Sequence, residues 1–155
     1  MPEAVRSVVL DPGERRTSWA LTGSGDAVVA TDAGLRIPGS GLLRWPDVEK
    51  ATWQRPHLDV VEVAAVSGTG RRWRLDLVDE GDLPAAVHSA VTASVAWSTH
   101  VRLEPAGGVR IVGRRRPDQE LLDWQVVYDR GTDPDDPALQ AQAEALVVDA
   151  RRTIG

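Results

Sequence analysis

"VVATDAGLRI" at Val28–Ile37 and "LLRWPDVEKATW" at Leu42–Trp53 decide the fold. Both stretches break short β-prone runs with turn chemistry: Thr-Asp-Ala-Gly at 31–34 and Pro-Gly-Ser-Gly at 38–41, between the two quoted stretches. Runs joined by such short turns pair with their sequence neighbours, so the reading is an antiparallel meander. Trp45-Pro46-Asp47 then launches a further strand. Its alternation slips between Val48 and Ala51, which predicts a bulge near Glu49–Lys50.

The same logic extends outward. Asp11–Glu14 reads as a turn ahead of "RRTSWAL" at Arg15–Leu21, and the Gly-Ser-Gly loop after it closes a hairpin with "AVVAT". Downstream, "LDVVEVAAVS" at Leu58–Ser67 is one long strand with Val61, Val63 and Ala65 on one face. "RRWRLDLV" at Arg71–Val78 alternates strictly, which sends Trp73, Leu75 and Leu77 one way and Arg72, Arg74 and Asp76 the other. The period then changes. Leu83, Val87, Ala90, Val91, Ser94 and Val95 recur at helical spacing, with Asp82 as cap and Pro84 in the first turn, so a helix is expected over Leu83–Trp97.

"THVRLE" and "GVRIVGRR" form a second hairpin, with Val101 and Leu103 facing Val109 and Ile111, and "ELLDWQVVYD" adds a strand that aligns Leu122, Trp124, Val126 and Tyr128. A last helix follows. Asp136 caps it, Pro137 opens it, Leu139, Ala143, Leu146, Val147 and Ala150 form its apolar stripe, and Arg151 and Arg152 suit its C-terminal dipole. The order is about six strands, a helix, three strands and a helix. The fold class is α+β: an antiparallel barrel or meander capped by a helix over 1–98, with a ββ(β)α extension over 99–155 packed on it or completing one single domain.

Composition narrows the functions. The 155 residues carry a net charge of −5 and no Cys, so disulfides, thiolate nucleophiles and cysteine metal sites are excluded. The acidic balance argues against a broad grip on nucleic acid or anionic lipid. Lys50 is the one lysine, which leaves it as the one side-chain amine for Schiff-base chemistry. The N-terminal stretch does not read as a signal peptide, and no apolar run is long enough to span a bilayer. A soluble cytoplasmic protein is expected, with no membrane insertion.

Three short motifs carry a family resemblance: Pro12-Gly13-Glu14, Thr31-Asp32-Ala33-Gly34-Leu35 and Trp45-Pro46-Asp47-Val48. Around them, residues 8–97 resemble the start of bacterial pleckstrin-homology-like (PH-like) domains. The resemblance implies a bent barrel of antiparallel strands, usually seven, closed by one helix, here Leu83–Trp97. It implies a binding module for lipid, peptide or protein, and it does not account for Thr99–Gly155.

Candidate sites are few. Arg114 and Arg116 in "VGRRRPDQ" would share one face of a strand, where two guanidinium groups fork onto a phosphate or carboxylate. The plainer reading neutralises them with Asp118, Glu120 or Asp123. In "RRWR", Trp73 turns inward, away from its flanking arginines, which favours packing over stacking on nucleic acid. His57, His88 and His100 lie at no ligand spacing, so no metal or cofactor is implied. His100 is the one that an acid in space would turn into a base. "DRGTDPDD" at Asp129–Asp136 departs from a calcium loop and reads as a helix-capping segment. "SGTGRR" at Ser67–Arg72 links two strands and so reads as a turn, not a phosphate loop. The first expectation is a non-catalytic module that binds a protein partner or itself. The alternative is a small-ligand or anion-binding protein, enzyme or not, built on Arg114 and Arg116. Lipid-surface binding ranks third.

Overall fold

The computed structural model describes residues 1–63, 70–116 and 119–154. The chain divides into two compact units, 1–93 and 94–155.

The first unit holds seven strands: β1 (Arg16–Thr22), β2 (Ala27–Thr31), β3 (Gly34–Ile37), β4 (Gly41–Arg44), β5 (Val48–Gln54), β6 (His57–Glu62) and β7 (Arg72–Asp79). This is one more than the six expected, and the two shortest, β3 and β4, have four residues each. All pair antiparallel, in the spatial order β4-β3-β2-β1-β7-β6-β5. The α+β meander stands, but β4 and β5 lie at opposite ends of the order and do not pair with each other, so the described strands form no closed barrel. The reason lies at Trp45–Asp47, a 3₁₀ turn where a hairpin would be needed. Pro46 brings no N–H to a ladder, and the buried Trp45 indole donates to the Thr31 carbonyl at 2.9 Å. That bond fixes a corner and sends β5 to the far end of the sheet. The bulge falls where expected, as a register shift between Val48 and Lys50. The segment at 64–69, which includes Ala65 of the expected long strand and Ser67–Thr69 of the expected turn, lies outside the described residues.

Helix α2 (Leu83–Ser94) covers one sheet face. Leu83 and Val87 are fully buried among Ala20, Val28, Leu35, Leu58 and Val60, with Ala90 and Val91 at the margin. The helix is shorter than expected: it ends at Ser94, and Val95 and Trp97 belong to the next strand. Those residues satisfy a helical stripe and a strand alternation equally well, so periodicity alone could not place the junction. On the opposite face of β1–β2, the short helix α1 (Glu3–Arg6) and its neighbours bury Val5 against Ala27 and Val29. No signal in the sequence announced that second small core.

Thr31 is the hub that holds the meander. Its hydroxyl donates to Glu14 Oε2 at 2.7 Å and accepts the Ala33 N–H, while its carbonyl takes the Trp45 indole. Asp32 accepts the Arg15 N–H at 2.9 Å. The three motifs quoted above therefore meet at one place, where they join strands rather than line a site. Trp45→Phe keeps an aromatic ring, though a smaller one, and removes the donor, leaving a buried carbonyl short of a partner. A loss of about 1–2 kcal/mol in urea unfolding is expected, and an unchanged midpoint would show that the bond carries nothing.

The second unit holds β8 (Val95–Arg102), β9 (Gly108–Arg114) and β10 (Asp123–Tyr128) in the order β10-β9-β8, followed by α3 (Pro137–Ile154). Leu139, Ala143 and Ala150 of α3 bury against Leu103, Val109 and Ile111. Trp97 and Trp124 pack edge to face, 5.6 Å between centroids. Asp136 caps α3 as expected, its Oδ1 accepting the Ala138 N–H at 2.9 Å. Among the described residues, no helix is long and apolar enough to cross a membrane.

Candidate functional site

Arg114 and Arg116 do not share a strand face, because β9 ends at Arg114. Arg114 is buried, and donates from Nε to Gln125 Oε1 and from Nη1 to Ser94 Oγ, both at 2.7 Å. Arg116 turns onto Asp123, with Nε at 3.0 Å and Nη2 at 2.8 Å from Oδ2. Of the acids weighed against them, Asp123 is engaged by Arg116, and Asp118 lies outside the described residues.

His100 does meet an acid. Its Nε2 lies 2.6 Å from Asp129 Oδ2, the two side chains being 42% and 41% exposed. His100 lies on outer strand β8 and Asp129 directly follows the other outer strand, β10; they meet beside Gly108 on the middle one. A Cβ at 108 would sit 2.3 Å from Asp129 Oδ2 and 3.0 Å from His100 Nε2. The absent side chain is what lets the pair close. Nothing local in the sequence marks Gly108 for this role. His57 faces Asp76 across β6–β7 at 3.1 Å. Trp73 packs half-buried as expected, its indole donating to Ser40 Oγ and its ring lying under Arg71 at 4.9 Å. Arg71 and Arg74 pair with Glu62 and Asp59, and those pairings hold both carboxylates below their usual range.

A concave feature of the first unit lies where the β5–β6 hairpin approaches the start of α2. It is a cleft of about 600 Å³. Leu58, which is 1% exposed, forms its floor together with half-buried Trp53. Its rim carries Arg55, Glu80, Asp82 and His88. The chain matches no family model, no curated protein and no solved structure.

Arg55 reaches Glu80 at 2.8 Å from a side chain that is 75% exposed. Asp82 Oδ1 accepts the hydroxyl of Ser18, a residue 4% exposed on β1. That bond ties the start of α2 to the sheet and holds the Asp82 carboxylate in place. Beside the cleft runs β5, which ends the strand order and pairs, among the described residues, with β6 alone. Ala51, Thr52 and Trp53 belong both to that strand and to the cleft wall. Sequence reading found these residues one by one but not their meeting, because 51–58 and 80–88 are brought together only by β7 and the turn after it.

Proposed function

We propose that the chain is a non-catalytic interaction module whose 1–93 unit receives an extended segment of a protein partner along β5. The observation that carries this reading is the pairing of an open strand edge with an apolar-floored cleft on the same residues. An open edge offers a row of backbone donors and acceptors, and a neighbouring pocket selects a side chain. Proteins blunt the edges that they do not use. Here the bulge and Lys50 blunt only the first half of β5, and β4 is shortened to four residues. The half of β5 beside the cleft carries neither device.

The element order, seven antiparallel strands and then one helix, also supports the PH-like reading of residues 8–97. A chain without Cys suits a reducing compartment, and a cytoplasmic setting belongs to the same proposal. None of the six tryptophans is fully exposed, so the anchor for a partner is a recess rather than a protruding ring. The anion-binding alternative has less support, since Arg114 and Arg116 direct donors inward to Ser94, Gln125 and Asp123.

Native mass spectrometry on protein gently purified from its own host tests the reading. The expected result is a complex with a second polypeptide or a second copy, lost in Trp53→Ala provided that this variant keeps its circular dichroism spectrum. A bare monomer from the unaltered chain would overturn it, and an added small mass lost on denaturation would favour ligand binding instead.

A further inference from the structure

We infer that the segment received at β5 places a basic side chain, Arg or Lys, in the cleft. The inference rests on the docking reading above and adds the chemistry of the occupant. The titratable groups at the rim are two carboxylates, Glu80 and Asp82, one guanidinium, Arg55, and the His88 imidazole. With His88 neutral the rim is net negative, as is the whole chain at −5. An aromatic wall and carboxylates around an apolar floor suit a long aliphatic stem that ends in a cation.

Arg55 shows how such a cation would sit. It already occupies Glu80, but from a position three-quarters exposed, where an ion pair is weakly held. An incoming guanidinium would take over the Glu80 carboxylate and release Arg55 to solvent. Asp82 contributes differently. Its described side-chain partner is a neutral hydroxyl, so its negative charge is positioned by Ser18 without being cancelled. Arg55 is then a competitor built into the rim, and Glu80 and Asp82 are the groups that choose the occupant.

The test uses three capped tripeptides: acetyl-Val-Arg-Val-amide and its norleucine and glutamate counterparts. The readout is the amide signals of β5 and the Trp53 indole N–H in nitrogen–proton correlation spectra at low salt. The arginine peptide is expected to bind about tenfold more tightly than the norleucine peptide, the size of a charge-assisted contact. Its advantage should shrink as salt is raised. Glu80→Gln should erase most of that advantage. Arg55→Ala should tighten the arginine peptide several-fold, an effect that a merely structural Arg55 would not produce. Equal binding of arginine and norleucine would overturn the basic occupant and leave the docking reading standing. If no peptide moves the β5 or Trp53 signals, both fall. Preference for the glutamate peptide would reverse the charge assignment and sink the inference outright.

Discussion

Glu14→Gln is expected to cost about 3 kcal/mol of folding stability, with no direct effect on the cleft. Glu14 has a side chain 2% exposed and pairs with Arg36, itself only 16% exposed. It also accepts the Thr31 hydroxyl and the Asp11 N–H, at 2.7 and 2.8 Å. An amide in its place keeps the shape but removes the charge that both Arg36 and the hub require. Asp11, 3.3 Å from Arg36 and mostly exposed, compensates only in part. The loss should appear as a lower urea midpoint with an unchanged slope.

The same carboxylate sets an acid limit. The Arg36 guanidinium is the main reason that Glu14 is held down from an ordinary 4.5 to about 2. A depressed carboxylate contributes its stabilisation in full above the unfolded value and loses it as pH falls toward the folded one. Stability should therefore drop by about 3 kcal/mol between pH 5 and pH 2. Glu14→Gln should remove most of that slope. Parallel pH profiles for the two proteins would show that other carboxylates govern acid unfolding.

Gly34→Ala is expected to be as damaging, for a steric reason. A Cβ at this position would lie 2.2 Å from the Leu43 carbonyl oxygen and 2.7 Å from the Arg44 Cα. Both obstacles are backbone of the paired strand β4, so neither can rotate away. Relief requires β3 and β4 to separate where Gly34 faces Arg44, at the hub end of the sheet. A loss of roughly 3 kcal/mol or more is expected, in the range of severe overpacking. Gly23→Ala is the control, since its Cβ would meet only Val78 Cγ1 at 3.8 Å. Similar unfolding midpoints for the two variants would mean that β3–β4 is looser than described.

Local signals carried the fold a long way. The strict alternation of Arg72–Asp76, the slip at Val48–Ala51 and the Asp136 cap each lie within a few residues, and each was legible. What failed was long-range. Asp11–Glu14 is the turn its sequence announces, closed by the Glu14 N–H on the Asp11 carbonyl at 3.0 Å, but nothing local shows that Glu14 also serves Arg36 and Thr31, far along the chain. Arg114 looked like an exposed fork, yet Ser94 and Gln125 enclose it. The cleft was illegible for the same reason. Trp53 and His88 each had an ordinary local explanation, and only the fold makes them neighbours of one space. The end of α2 was missed because Val95 and Trp97 fit two periods at once.

Lys50, the single lysine, stands exposed in the first half of β5, one residue before the cleft wall begins at Ala51. Acylating reagents therefore find one side-chain amine in the entire chain, and it sits beside the space argued to receive a partner. A fluorophore attached there would need no engineered handle, and its emission would follow occupancy of the groove residue by residue as ligands are varied.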